Sequence, residues 1–331
     1  MKNTFLKKAA SPFEHLFWRA QIRLLRACPP LLGVASKVSL NAYKSRKIWI
    51  KTLLHVAAQV PHTVLQHWHN KRGKRIVIPR ISIPVTTRCT LNCDKCAVHI
   101  PDLKCCRDIP TDILLNDIRS LLSCVDNIYD ISLSGGEVFL HPDLDAIVRT
   151  CDMPDKVDSI NVVTNGTVIP DAKTLAALRD AKVIVKITRY SEALQPHVEK
   201  LKSILKENQV SYIHTSGAYW NDIGSFGQRK AGSEKRRFSI CVQQLCYPLY
   251  NGKLHLCLES ATLMEEGLVP DCKEDYIDLR ATCPAAFREQ FEKLLKRRAI
   301  SACSYCLGHT YKSPRVPVAE QRSEPHENPL Q

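Results

Sequence analysis

Short apolar runs alternate with helical stretches through the middle of the chain. The runs are rich in β-branched residues and predict five buried strands, at residues 76–86, 127–133, 159–163, 183–187 and 210–213. Between them, apolar residues recur with the period of one helix face, first after Thr111, which we predict to cap its helix, and again from Val198 to Leu205. Strands that alternate with helices form parallel sheets with right-handed crossovers. The pattern therefore predicts an α/β fold.

Polar segments follow four of the predicted strands. They comprise a cysteine-rich run and three short loops, at residues 89–96, 134–137, 164–167 and 188–191. Because ligands bind at the carboxyl ends of parallel strands, we expect these segments to meet at one edge of the sheet. Asn165-Gly166 in the third loop is also a common tight-turn pair, so a purely structural role is an alternative there.

The cysteine run contains Cys89, Cys93 and Cys96, with the spacing C-x3-C-x2-C. Three thiolates on one short loop can hold three irons of a cubane iron–sulfur cluster and leave the fourth iron open, as a catalytic metal site requires. A zinc or structural cluster site would explain the cysteines but not the segment Gly135-Gly136-Glu137 after the second strand. Its glycines allow close approach of the backbone to a ligand, and we expect the Glu137 carboxylate to meet a ligand ammonium group.

These two motifs, in this order, resemble the radical S-adenosylmethionine (SAM) superfamily. The resemblance implies a partial (β/α)6 TIM-like barrel and a [4Fe-4S] cluster whose open iron chelates SAM. It also implies that Gly135, Gly136 and Glu137 hold the SAM amino group. Lys95 departs from the family pattern, because many members carry an aromatic residue before the third cysteine that packs on adenine.

The resemblance implies two further candidates for SAM contacts, in the loops after the third and fourth predicted strands. Asn165 and the segment 188–191, which includes Arg189, are candidates for the SAM ribose and carboxylate. A guanidinium suits a free carboxylate, although an arginine on the protein surface is the alternative reading of Arg189.

A second group of cysteines lies in the C-terminal third. An Asn-Gly pair at 251–252, between two apolar stretches, predicts a β-hairpin. Cys246 precedes this hairpin and Cys257 follows it, while Cys303 and Cys306 form a C-x2-C pair after an amphipathic helix. Two hairpin cysteines and a C-x2-C pair predict a four-thiolate site for iron–sulfur or zinc.

This region resembles the C-terminal extension of radical SAM enzymes called SPASM or, in its shorter form, twitch. The resemblance implies an auxiliary [4Fe-4S] cluster and favours the one-cluster twitch form, a hairpin/helix extension. Cys257, Cys303 and Cys306 are the firmer expected ligands. Cys241 and Cys246 compete for the fourth position.

Charge separates the beginning of the chain from the rest. Residues 1–80 contain 16 Lys or Arg and one acidic residue, Glu14, whereas residues 81–331 contain 31 basic and 32 acidic residues. We predict a basic N-terminal helical segment at 1–75, the SAM core at 76–236, the auxiliary-cluster domain at 237–311 and a disordered tail at 312–331. Basic helices with aromatic residues suit a membrane surface or an anionic partner; a helical cap on the core is the alternative.

Composition also bears on the compartment. The N-terminal segment has neither a signal-peptide pattern nor an apolar stretch that would span a bilayer. Fifteen cysteines with two cluster-type sites predict a reducing compartment rather than disulfides. We therefore expect a cytoplasmic protein, with surface attachment to a membrane through 1–75 as an open alternative. Nucleic acid is not an expected partner.

The resemblance implies that a reductant of the flavodoxin or ferredoxin type supplies an electron, and that SAM is cleaved to a 5′-deoxyadenosyl radical that abstracts a substrate hydrogen. Similarity to uncharacterised members associated with polysaccharide clusters favours oxidation or epimerisation of a carbohydrate-type substrate. Maturation of a ribosomal peptide or protein is the alternative, and an iron–sulfur electron carrier is the non-enzymatic one. An epimerase needs a thiol that returns a hydrogen atom, for which the candidates are Cys105, Cys106, Cys272 and Cys283.

Overall fold

The computed structural model describes residues 75–190, 192–216, 219–224, 232–310 and 313–322. For Arg189, Thr215, Ser216 and Leu245 it describes the backbone only. Except for residue 75, the predicted N-terminal segment lies outside these ranges. In the described ranges, no helix is long and apolar enough to cross a membrane.

Twelve strands are described. They are β1 (Val77–Ile78), β2 (Ile81–Thr86), β3 (Asn127–Ile128), β4 (Ile131–Gly135), β5 (Ile160–Thr164), β6 (Ile184–Arg189), β7 (Ser211–Ser216), β8 (Trp220–Asn221), β9 (Tyr247–Tyr250), β10 (Lys253–His255), β11 (Tyr276–Asp278) and β12 (Arg315–Val316). The described α-helices are α1 (Thr111–Cys124), α2 (Leu144–Cys151), α3 (Ala172–Asp180), α4 (Gln195–Glu207), α5 (Glu234–Phe238), α6 (Leu258–Glu265) and α7 (Pro284–Leu295).

Eight of the strands form one sheet, in the order β11-β10-β9-β2-β4-β5-β6-β7. The six strands from β9 to β7 in this order run parallel, whereas β10 is antiparallel to both β9 and β11. The predicted α/β fold with a parallel sheet is confirmed. Within the described residues the sheet is open, with β7 and β11 at its edges, and the partial (β/α)6 barrel stays a prediction.

The first two predicted strands are each divided in two. Residues 76–86 give β1 and β2, separated at Pro79, because proline has no N–H to donate to the ladder. Pro84 lies inside β2, where the register with β4 shifts between Pro84 and Thr86. Residues 127–133 give β3 and β4, and β3 pairs with β1 in a separate two-stranded sheet.

The predicted cap of α1 is wrong. Pro110 is the N-cap residue, and Thr111 is the first residue of the helix. The Thr111 hydroxyl donates to Asp143 Oδ2 at 2.7 Å, before α2, instead of to the backbone of its own helix. The helix predicted from Val198 to Leu205 is confirmed as α4, with Val198, Leu201 and Leu205 buried.

The C-terminal hairpin is confirmed and extends the same sheet. Strands β9 and β10 flank a turn with φ of 48° at Asn251 and 74° at Gly252, as a tight hairpin turn requires. Strand β9 also pairs with β2, with Ile81 opposite Tyr247. One hydrophobic core therefore continues from the parallel strands into α7.

The predicted disordered tail is wrong for residues 313–322. Strand β12 pairs with β8, and Gln321 forms a β-bridge with Cys93 in the cysteine loop. These backbone pairings give the segment a definite conformation that its polar composition did not predict.

Candidate active site

The three-cysteine loop leaves the carboxyl end of β2. Cys93 is 7% exposed, and Cys89 and Cys96 are half-buried. Burial, followed by the charges of Glu137 and the other two thiols, raises the pKa of Cys89 to about 12. Burial likewise raises the pKa of Cys93 to about 11. The three sulfur atoms are thus close enough to influence one another, and a bound cation would stabilise them as thiolates.

The segment after β4 packs directly on this loop. The backbone N–H of Gly136 donates to the Thr86 carbonyl at 2.8 Å, and that of Glu137 donates to the Arg88 carbonyl at 2.8 Å. A Cβ atom at Gly135 would overlap the Thr86 carbonyl oxygen, and one at Gly136 would overlap the Arg88 oxygen. Both glycines are therefore required for the close approach of the two predicted motifs.

The Glu137 carboxylate is held by protein groups. The residue is 0% exposed, and its two carboxylate oxygens accept hydrogen bonds. The donors are Thr164 Oγ1 at 2.7 Å, Asn165 N at 2.8 Å and Phe139 N at 3.2 Å. The Glu137 side chain thereby joins the loops after β4 and β5. A contact between its carboxylate and a ligand ammonium stays a prediction, because Oε2 accepts only one of these three hydrogen bonds.

Asn165 contacts the cysteine loop. Its Nδ2 donates to Thr90 Oγ1 at 3.1 Å and lies 3.7 Å from Cys89 Sγ. Its Oδ1 accepts from the backbone of Thr167 at 2.9 Å, and Gly166 has a φ of 81°, which describes a tight turn. The structural reading of Asn165-Gly166 as a turn is therefore confirmed. Asn165 as a SAM contact stays a prediction.

Tyr190, at the end of β6, lies close to the same cysteines. Burial, followed by the charges of Cys93, Cys96 and Cys89, raises the pKa of its hydroxyl above the usual range. Its ring packs edge-on against Trp220, with 5.7 Å between ring centroids. The side chain of Arg189 lies outside the described part, so its predicted role stays a prediction. Lys95 lies 4.0 Å from Asp222, between Nζ and Oδ2.

The second group of cysteines converges on one cavity. Cys241, Cys257, Cys303 and Cys306 all line it, together with Glu259 and His309. Cys257 is the N-cap residue of α6, and its sulfur accepts from Ser260 N at 3.4 Å. The Cys306 sulfur accepts from Gly308 N at 3.1 Å. The residues that follow these two cysteines orient their thiols.

Cys246 is not among the described residues that line this cavity. Burial raises the pKa of its thiol to about 12, with opposing effects from the Arg80 guanidinium and the Asp130 carboxylate. The thiol is thus close to these two charged groups, just before β9 begins. Of the two competing cysteines, the structure brings only Cys241 to the other three.

The donor set at both places fits an iron–sulfur cluster, because soft thiolates are the ligands that such clusters take. No three His, Cys, Asp or Glu side chains in the described ranges are grouped closely enough to bind one metal ion. In a cubane cluster each cysteine binds a different iron, so the cysteines can lie further apart than the ligands of a single metal ion.

Three residues near these sites were missed from the sequence. Gln321 approaches the first group of cysteines, and Glu259 pairs with His309 at 3.0 Å beside the second. No local pattern identifies Gln321. Tyr190, which also lies close to the first group, belongs to the polar segment 188–191 that the sequence predicted at this edge of the sheet. Of the thiols considered as hydrogen-atom donors, Cys105 and Cys283 are exposed, and Cys106 and Cys272 are half-buried.

Comparisons with solved structures give similarities at low identity. One is anSMEcpe with bound AdoMet and Cp18Cys peptide, at 16% identity and a TM-score of 0.35, covering 44% of each chain. BtrN in complex with AdoMet and 2-DOIA has 17% identity and a TM-score of 0.45, covering 75% of this chain and 98% of that one. Streptococcus suis SuiB bound to S-adenosylmethionine has 14% identity and a TM-score of 0.33, covering 46% of this chain and 36% of that one. The chain spans less than half the length of anSMEcpe in the first comparison.

No curated protein sequence matches the chain. Residues 83–217 match the family model of the Radical SAM superfamily. The matched range begins within β2 and ends just after β7, and it includes the three-cysteine loop, Gly135-Gly136-Glu137 and the turn at Asn165. Residues 83–217 are therefore a radical SAM domain.

Proposed function

We propose that this chain is a radical SAM enzyme that holds a [4Fe-4S] cluster on Cys89, Cys93 and Cys96. The observation that carries the proposal is the direct packing of Gly135-Gly136-Glu137 on the cysteine loop, at the carboxyl ends of β2 and β4. When bound, the cluster supplies the electron that splits SAM into methionine and a 5′-deoxyadenosyl radical.

The surrounding residues hold this site in place. Asn165 and Thr90 tie the first cysteine of the loop to the turn after β5. The Glu137 carboxylate keeps that turn beside the Gly-Gly backbone. On the β6 side, Tyr190 lies close to the three cysteines and packs edge-on against Trp220. By the family resemblance, the peptide groups of Gly135 and Gly136 and the Glu137 side chain are the groups that would hold the SAM amino group.

The test is formation of 5′-deoxyadenosine by the reconstituted protein with SAM and dithionite under anaerobic conditions. We expect product from the native chain and none from Cys93→Ala. Cys124→Ala, which removes a buried thiol on α1, is the matched control and should retain activity. A native protein with a spectroscopically demonstrated cluster but no product would support the electron-carrier alternative instead.

We also propose an auxiliary [4Fe-4S] cluster on Cys241, Cys257, Cys303 and Cys306. Their convergence on one cavity supports this ligand set. An auxiliary cluster near a substrate can accept an electron from a substrate radical, which makes the net reaction an oxidation. We propose an oxidation on that basis. Epimerisation would need a thiol donor, and two of the four considered are at the protein surface.

A polar face of the sheet supports a hydroxyl-rich substrate. Parallel sheets are usually apolar on both faces, yet Ser82, Ser132 and Ser134 are half-exposed on one face and the intervening residues are buried. Ser82 Oγ lies 3.0 Å from Ser134 Oγ. Lys186 extends this face onto β6, where burial lowers the pKa of its ammonium. Hydroxyl and ammonium groups suit a carbohydrate, so we favour that class over a peptide.

Substrate class can be tested by measuring which compounds stimulate SAM cleavage. The native protein would be incubated with SAM, dithionite and a panel of sugar nucleotides, free aminocyclitols or synthetic peptides, and substrate-dependent 5′-deoxyadenosine would be measured. Stimulation by a sugar that is weakened in Lys186→Met supports the carbohydrate proposal, whereas stimulation by peptides alone supports a maturase.

We further propose a flavodoxin- or ferredoxin-type reductant in the cytoplasm, which can be tested by replacing dithionite with purified flavodoxin.

A further inference from the structure

The segment 313–322 returns to the cysteine loop from the far end of the chain. The backbone N–H of Asp94 donates to the Glu320 carbonyl at 2.6 Å, and that of Arg322 donates to the Asn92 carbonyl at 2.8 Å. Between these two bonds, Cys93 and Gln321 form an antiparallel bridge. The second cysteine of the loop is thus held opposite Gln321 by backbone pairing on both sides.

The carboxamide of Gln321 has one orientation that satisfies its neighbours. Its Oε1 accepts from the backbone N–H of Asn92 at 2.8 Å. Its Nε2 donates to the Ala319 carbonyl at 2.8 Å and to Cys93 Sγ at 3.1 Å. A flipped amide would place oxygen against a carbonyl and nitrogen against an N–H. The orientation is therefore determined by the backbone, and an N–H group is directed at the Cys93 sulfur.

Arg322 anchors the segment next to this contact. Its guanidinium donates to both carboxylate oxygens of Asp102, at 2.9 and 3.1 Å, and to the Pro101 carbonyl at 3.4 Å. Oδ1 of Asp94, on the cysteine loop, lies 3.6 Å from Arg322 Nε. Nη2 makes both contacts with Asp102 and Nη1 makes the contact with Pro101, so the guanidinium is held at two places and Gln321 stays in register with Cys93.

We propose that the N–H···S hydrogen bond from Gln321 raises the reduction potential of a cluster held by Cys89, Cys93 and Cys96. Reduction adds negative charge that is shared with the cysteine sulfurs, and an N–H dipole directed at a sulfur stabilises the added charge. Hydrogen bonds to the sulfurs are one of the factors that set the potentials of such clusters. The inference rests on the proposed cluster site.

The test is a potentiometric titration monitored by electron paramagnetic resonance. Cys303→Ala and Cys306→Ala are introduced first, so that the signal comes from the three-cysteine site. In that parent, Gln321→Met removes the donor while keeping side-chain length and neutrality. We expect a more negative midpoint potential at unchanged iron content. Gln290→Met on α7 is the matched control, and its potential should equal that of the parent. Equal potentials for Gln321→Met and the parent overturn the proposal.

Gln321→Glu provides a second variant, because it keeps the acceptor for Asn92 but replaces the donor, and it should also lower the potential. Loss of iron from both Gln321 variants, in folded protein, would mean that the residue retains the cluster without tuning it, which overturns the proposal. A parent that contains no iron overturns both this inference and the proposed function. A shifted potential in a protein that forms no 5′-deoxyadenosine supports this inference and contradicts only the proposed function.

Discussion

The backbone N–H of Asn165 donates a hydrogen bond to Glu137 Oε2 at 2.8 Å. This bond joins the loop after β5 to the loop after β4, and Thr164 Oγ1 strengthens the link through the other carboxylate oxygen. Gly136 and Asn165 each contact the cysteine loop after β2. Three polar loops are therefore one hydrogen-bonded unit around a fully buried carboxylate.

Stability should depend on pH through Glu137. Burial raises the pKa of its carboxyl to about 7, despite three donated hydrogen bonds, from about 4.5 in the unfolded chain. Between these values the folded chain binds more protons than the unfolded one, so the free energy of unfolding falls as pH rises from about 4.5 to 7. The contribution is on the order of 3 kcal/mol.

The measurement is anaerobic chemical denaturation across that pH range, for the native chain and Glu137→Gln. Glutamine cannot ionise, so the variant should lack this part of the slope. Other titrating groups act on both proteins and cancel in the difference. Identical slopes would mean that the Glu137 carboxyl does not titrate in this window.

Gly136→Ala should abolish retention of iron by the three-cysteine site. The added Cβ would overlap the Arg88 carbonyl oxygen and lie 3.1 Å from the Cβ of Cys89, so the loop must move away from β4. Iron and sulfide analysis of the reconstituted protein, in a background without Cys303 and Cys306, measures the effect.

Gly267→Ala is the control for that substitution. Gly267 has a φ of 70°, and no heavy atom lies within 4 Å of the position that a Cβ would occupy there. Alanine at this position therefore meets backbone strain of about 1 kcal/mol but no clash. Its iron content should equal that of the same background without the substitution. Full iron content in Gly136→Ala would contradict the close packing of the two motifs.

Cys241 and Cys246 should differ in their effect on the auxiliary site. With Cys89, Cys93 and Cys96 all replaced by alanine, the remaining iron reports on the second group of cysteines. Cys241→Ala should lose this iron because its thiol lines the shared cavity, and Cys246→Ala should keep it. The reverse pattern would assign the fourth ligand to Cys246.

Arg280→Met should destabilise the junction between the hairpin and α1 by about 1–3 kcal/mol. Loss of a partner from a fully buried ion pair would cost more, but Arg280 is 45% exposed. Its guanidinium donates to both oxygens of Asp117, at 2.9 and 2.8 Å, and Asp117 is only 4% exposed. The substitution leaves that carboxylate buried without its partner. Chemical denaturation measures the change.

Lys293→Met on α7 is the matched control, because its pair with Glu289 is exposed on both sides. Its effect should stay below about 0.5 kcal/mol. Equal destabilisation by the two variants would mean that the Arg280–Asp117 pair is no more important than a surface pair.

Much of the fold could be predicted because it depends on local patterns. Apolar runs predicted the parallel strands, and the Asn251-Gly252 pair predicted the hairpin turn. Errors occurred where neighbouring structure competed with local preference. Thr111 bonds to Asp143 instead of capping its helix, and the polar residues 313–322 gain order from backbone pairing with other segments.

The sequence by itself determined which groups the first site can offer, because its three thiols lie within eight consecutive residues and two adjacent glycines permit close packing. Only the tertiary structure decided which groups surround that site. Glu137 is enclosed by donors from the next loop, Cys241 rather than Cys246 reaches the shared cavity, and Gln321 meets Cys93 from 228 residues away. Such contacts depend on the path of the whole chain, which no local pattern records.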